Sequence, residues 1–201
     1  MIRILTDSAA DLTAAELNAP GVTVVPMTVT FMDGSSQEDD GTMTKDDFFA
    51  RLASDSKLPR TSQPSPSAYI QAYEDAAAAG DEVIVITIAQ KLSGTFQSAR
   101  LAAADADFAP YIVDSESATQ GEALIVREAL RLRDEEHLSA EEIFNALEQF
   151  KKRVRIVAIV DSLKHLQKGG RLPAAVAIVG GALGIKPVLA LKDGEIKLVD
   201  K

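Results

Sequence analysis

The sequence predicts an α/β protein whose parallel sheet is covered by helices on both faces. Short aliphatic or β-branched runs, Ile2–Leu5, Val83–Ile88, Tyr111–Val113 and Ile156–Val160, read as buried strands. Amphipathic stretches with helical start and stop signals separate them. Three of the runs end in one repeated signature: Leu5-Thr6-Asp7-Ser8, Val113-Asp114-Ser115 and Val160-Asp161-Ser162. Strand–helix alternation points to a parallel sheet because each crossover helix must cover one of its faces.

Ile2–Leu5 is the first strand. Val22–Met32 alternates as an extended strand, and Asp33-Gly34 signals a turn before the polar stretch Ser35–Gly41. Asp46 and Asp47 suit the first turn of a helix through Phe48, Phe49 and Leu52, where carboxylates meet the positive end of the dipole. With the acids of Gln37–Asp40 they make a solvated acidic surface, cation binding being the alternative. Ser65 caps and Pro66 opens a helix carrying Tyr69, Ile70 and Tyr73, which Gly80 can end. After Val83–Ile88, Leu92-Ser93-Gly94-Thr95 opens a helix of Phe96, Ala99, Leu101 and Ala102. Gly121–Arg133 presents Leu124, Ile125, Leu130 and Leu132 as a helical face. Ser139 and Glu142 form a capping box ahead of Ile143, Phe144, Leu147 and Phe150. Pro187–Lys192 and Glu195–Val199 flank Asp193-Gly194, a two-residue hairpin signal. That hairpin leaves an unpaired edge, so further sheet partners are expected, from missing sequence or another chain.

A chain of 201 residues makes one generous domain or two small ones. Twenty-one cations against 30 acids give −9, which argues against a general grip on nucleic acid or an anionic membrane. The absence of cysteine removes disulfides, thiolate metal sites and a cysteine nucleophile, as suits a cytoplasmic protein. Two histidines, His137 and His165, leave little for a histidine metal site. No run reaches the ~18 apolar residues of a membrane span, and the N-terminus lacks a signal-peptide layout.

The Asp-Ser pairs read as helix caps, and they also lie at strand carboxyl ends, where open α/β sheets bind ligands. Pro59–Pro66 is the densest loop. It is a rigid capped connector, or an anion site in which Thr61 and Ser62 set hydroxyls ahead of a helix N-terminus. Ser93-Gly94-Thr95 offers two more hydroxyls around a glycine that permits close backbone approach. Ser93 as a hydrolase nucleophile lacks the G-x-S-x-G elbow, since Lys91 precedes it by two, and its base would have to be His137 or His165. Leu163–Arg171 ends a short helix in Gly169-Gly170-Arg171, a C-cap that can also aim Arg171 at a ligand or partner. Gly180–Pro187 fits neither phosphate-loop pattern and reads as a tight turn.

Together these motifs resemble the DegV family of bacterial fatty-acid-binding proteins. The likeness runs through Ile4–Leu12, Val25–Val29, Leu58–Ser65, Leu92–Thr95, Val113–Ser115, Leu166–Arg171 and Gly184–Pro187, in order and over nearly the whole chain. The resemblance implies a Rossmann-like parallel-sheet domain over residues 1–153 and the start of a smaller α/β domain over 154–201. It implies one long-chain fatty acid between them and no cofactor. It also implies a partner fatty-acid kinase that phosphorylates the presented carboxyl and feeds phospholipid synthesis. By motif, Thr61 and Ser93 hold the carboxylate, with Ser62, Gly94 and Thr95 beside them and Arg171 near the site or at the kinase contact. Family members continue several tens of residues past the hairpin, in a tail that brings a histidine near the head group and further strands. Here the sequence stops at Lys201, so part of the second domain is expected to be absent. The physics suits such a carrier: ten buried methylenes contribute on the order of 8 kcal/mol, so the head group need only be satisfied by hydroxyls and backbone N–H groups. A serine hydrolase or fold-related phosphotransferase acting through Ser93 is the alternative.

Overall fold

The computed structural model describes residues 1–104, 106, 108–173 and 186–201. In chain order the strands are β1 (Ile2–Asp7), β2 (Val22–Val25), β3 (Thr28–Thr30), β4 (Ser36–Glu38), β5 (Arg60–Ser62), β6 (Glu82–Thr87), β7 (Tyr111–Asp114), β8 (Ile156–Ile159), β9 (Val188–Lys192) and β10 (Glu195–Asp200). The helices are α1 (Ala14–Leu17), α2 (Lys45–Ser54), α3 (Pro66–Ala78), α4 (Thr95–Ala104), α5 (Gln120–Asp134), α6 (Ala140–Phe150) and α7 (Lys164–Lys168).

Four strands form the parallel sheet, in the order β2-β1-β6-β7. Successive side chains of a strand point to opposite faces, and here both faces are covered. Ile4, Ile84, Ile86 and Val113 pack against Ile125, Val126, Ala129, Ile143 and Leu147 of α5 and α6. Leu5, Val83 and Val85 pack against Tyr69, Tyr73, Ala76, Ala99 and Ala102 of α3 and α4. This two-sided burial is why the strands are continuous apolar runs. The helix signals are realised as side-chain bonds. Ser65 Oγ accepts from Ala68 N at 3.2 Å, and Ser139 and Glu142 complete their capping box. At the hairpin, Asp193 (φ 53°) and Gly194 (φ 75°) both take the left-handed conformation of a tight two-residue turn.

Four expectations are corrected. Val22–Met32 is two strands, broken at Pro26-Met27, since proline has no N–H for a ladder. The polar stretch after Asp33-Gly34 contains β4, and the Pro59–Pro66 loop contains β5; both pair antiparallel with β3, giving the order β4-β3-β5. Ile156–Val160 does not join the parallel sheet: β8 pairs antiparallel with β9, in the order β10-β9-β8. Asp161 is consequently exposed, paired with Lys186 at 2.9 Å, rather than lying at the parallel sheet's carboxyl edge. An isolated apolar pentapeptide carries no mark of the sheet it will join. The tight turn expected over Gly180–Pro187 lies, through Ile185, outside the described residues. Among the described residues, no helix is long and apolar enough to cross a membrane, and no group of three or more His, Asp or Glu side chains is arranged for a metal ion.

Candidate functional site

The carboxyl edge of the parallel sheet carries the polar groups. After β6 the chain turns through Ile88–Gly94 into α4, with Gly94 O accepting the first helical bond from Ser98 N at 3.0 Å. The N–H groups of a first helical turn lack intrahelical acceptors, so this end offers donors and a positive dipole. Ser93 Oγ and Thr95 Oγ1 lie 2.9 Å apart. Of their two hydroxyl protons one is used between them, which leaves one to donate to a ligand. Thr95 is buried and Ser93 half-buried at the surface.

Two other segments reach this turn. A Cβ placed on Gly94 would meet Gln63 Nε2 at 2.5 Å and Cδ at 2.7 Å, so the Gln63 side chain lies directly over the glycine. Gln63 follows β5, whose Thr61 pairs with Val29 and whose Ser62 pairs with Thr28. Thr61 and Ser62 are exposed. From the other side, Arg171 Nε donates to Leu92 O at 3.1 Å and Nη1 to Gly169 O at 2.6 Å. That sets a guanidinium charge against the Ser93 turn in a chain of net charge −9. The structure thus brings Gly94 to the residue after Ser62, and Arg171 to the residue before Ser93. Ser93 bonds Thr95, and His165 is exposed on α7. Gln63, two residues after Thr61, is the contributor that residue-by-residue reading missed. Because only a flexible side-chain end stands in the way, Gly94→Ala is expected to fold with a Tm within a few degrees of wild type. It displaces Gln63 and so parts the two loops; loss of Gln63 amide contacts to residue 94 by NMR checks it.

Beneath this edge lies a buried carboxyl pair. Asp7 Oδ1 accepts from Ala9 N at 3.0 Å and Oδ2 from Ile88 N at 2.9 Å. Glu122, in the first turn of α5, accepts from Thr6 Oγ1 at 3.2 Å through Oε1, while its buried Oε2 has no partner among the described residues. Burial pushes the Asp7 carboxyl up to about 6, against the pull of its two backbone N–H bonds. Burial pushes Glu122 well above the usual carboxylate range, and the charge of Asp7 adds to that. Both acids bind protons more tightly folded than unfolded. Their contribution is therefore fully present below the ordinary carboxylate range and is lost as pH rises through about 6 for Asp7. Glu122→Gln, which supplies the neutral form at every pH, is expected to flatten the fall of Tm as pH rises above the ordinary carboxylate range. Parallel Tm curves for variant and wild type would contradict the buried pairing.

Comparison with known proteins places these observations. A family model described as "Uncharacterised protein, DegV family" matches residues 1–201. A DegV domain-containing protein of Caldanaerobacter subterraneus subsp. tengcongensis is 37% identical over 201 residues, covering 100% of this chain and 71% of its own. A fatty acid (stearic acid)-binding protein from Eubacterium ventriosum superposes with a TM-score of 0.90 at 33% identity, covering 100% of this chain and 70% of that one. The Streptococcus pneumoniae fatty acid kinase B3 protein, loaded with linoleic acid, superposes with a TM-score of 0.88 at 26% identity, covering 100% and 72%.

Proposed function

The chain belongs to the DegV family, and from that premise we propose that it binds a long-chain fatty acid and presents the carboxylate to a partner fatty-acid kinase. The observation that carries this reading is the meeting of three segments at one helix N-terminus: Gln63 over Gly94, the Ser93–Thr95 hydroxyl pair, and Arg171 against Leu92 O. Thr61 and Ser93 hold the carboxylate in this proposal, with Ser62, Gly94 and Thr95 forming its surroundings. Arg171 supports the turn through backbone carbonyls and lends positive charge. The head-group donors are neutral, so no buried ion pair with its desolvation cost is required. Affinity comes from the acyl chain, at about 0.8 kcal/mol per buried methylene.

In this reading residues 1–153 form the Rossmann-like unit and 154–201 begin the smaller one. The protein carries out no chemistry itself. The kinase converts the presented carboxylate to an acyl phosphate, which passes on to phospholipid synthesis. Fatty-acid binding in the Eubacterium ventriosum relative and linoleic acid in the kinase B3 protein support the ligand and partner classes.

Intact-mass measurement under native and denaturing conditions tests the ligand. A mass excess of one long-chain fatty acid, present natively and lost on denaturation, is the expected result. Protein that takes up neither palmitic nor oleic acid would overturn the reading.

A further inference from the structure

The turn that carries Ser93 begins with three consecutive backbone N–H groups, at Ile88, Ala89 and Gln90. The outer two are taken by residues at the ends of neighbouring strands, and the middle one by the turn that follows β7. Ile88 N donates to Asp7 Oδ2 at 2.9 Å, at the end of β1. Gln90 N donates to Asp114 Oδ1 at 3.2 Å, at the end of β7. Between them, Ala89 N donates to Ser117 O at 2.8 Å. The peptide so fixed carries Ala89 O, which accepts from Leu92 N at 2.9 Å and Ser93 N at 3.2 Å. Asp114 thus holds the N–H of the peptide whose carbonyl accepts from Ser93 N, and Asp7 holds the same turn two residues earlier, at Ile88 N.

Sheet order explains why two copies of one motif can do this. β1 and β7 flank β6 on either side. An Asp at the carboxyl end of each outer neighbour faces the turn leaving the middle strand from opposite directions. Each also closes its own turn, Asp7 through Ala9 N at 3.0 Å and Asp114 through Glu116 N at 2.9 Å. A cap would require only that second bond, and a cap residue usually stays in contact with water. Asp7 is fully buried and Asp114 is 8% exposed. The third Asp-Ser pair, Asp161-Ser162, follows β8 in the β10-β9-β8 sheet, where Asp161 is exposed and paired with Lys186.

We propose that Asp7 and Asp114 are positioning residues of the head-group site, bracing the Ile88–Gln90 turn from both sides so that the Ser93 and Thr95 hydroxyls stand where a carboxylate can be bound. This rests on the fatty-acid reading above. The aspartates act through the turn and touch no ligand themselves.

The two braces differ in a way that can be tested. Asp114 uses a single oxygen, Oδ1, for both of its bonds. Asp7 divides its two bonds between Oδ1 and Oδ2. An asparagine has one acceptor oxygen, so it can replace Asp114 fully and Asp7 only by half. Binding of oleic acid and amide hydrogen exchange at Ile88, Ala89 and Gln90 are measured for Asp114→Ala, Asp114→Asn and Asp7→Asn. Asp114→Ala is expected to weaken oleic acid binding about tenfold and to speed exchange at Gln90. Asp114→Asn is expected to restore both, and Asp7→Asn to weaken binding about tenfold with faster exchange at Ile88. Equal behaviour of the two asparagine variants would overturn the brace, because a role of charge alone treats them alike. So would faster exchange at Gln90 with oleic acid binding unchanged. If wild type takes up no oleic acid, the fatty-acid reading fails by itself. Unaltered exchange at both Gln90 in Asp114→Ala and Ile88 in Asp7→Asn would instead refute the bracing directly.

Discussion

A Thr61→Ala, Ser93→Ala double variant is expected to bind oleic acid at least about a hundredfold more weakly than wild type, and to emerge from purification without lipid. A hydrogen bond to a charged group is worth about 1.5–3 kcal/mol, and leaving a carboxylate oxygen unpaired in a sheltered site adds its desolvation cost. Two such losses exceed the roughly 2.8 kcal/mol that a hundredfold represents. Stability should change little, because Thr61 is exposed and Ser93 only half-buried. Titration calorimetry beside a thermal melt separates the two effects. A variant that keeps its Tm and loses the lipid agrees with the head-group role, whereas unchanged affinity would contradict it.

Gly121→Ala is expected to produce the largest loss of stability. A Cβ at this position would run into Ser117 Oγ and stand 2.7 Å from Ile156 Cγ1. Gly121 is buried in the first turn of α5. One obstacle belongs to the turn after β7, whose Ser117 O holds Ala89 N, and the other belongs to β8. Alanine favours a helix over glycine by about 1 kcal/mol. Overpacking costs about 1–3 kcal/mol, occasionally more, and here it falls on a short buried side chain and a branched one, so the clash outweighs the propensity. At roughly 2–4 °C per kcal/mol for a chain of this size, Tm should fall by several degrees. A rise in Tm would show that β8 can yield without cost.

The parallel sheet was legible because both of its faces are buried, which leaves aliphatic residues on both faces at Ile4-Leu5 and Val83–Ile86. The caps at Ser65 and Ser139 and the Asp193-Gly194 hairpin were legible because each depends on local chemistry alone. The β4-β3-β5 sheet was not, since β4 and β5 are polar, three-residue strands with mostly exposed side chains and no hydrophobic alternation to betray them. At the site, the hydroxyl motifs around Thr61 and Ser93 could be picked out by composition. The contact of Gln63 with Gly94 could not, because nothing in either segment encodes the other's position. The Asp-Ser repeats were visible both as helix caps and as residues at strand carboxyl ends. Their second bonds become apparent only when β1 and β7 are known to flank β6.

The most direct test of the account is a crystal structure of the protein with a saturated long-chain fatty acid bound. The account predicts a carboxylate within about 2.6–3.2 Å of both Thr61 Oγ1 and Ser93 Oγ, with the acyl chain directed into the protein. A carboxylate bound elsewhere, or one contacted by neither hydroxyl, would contradict it.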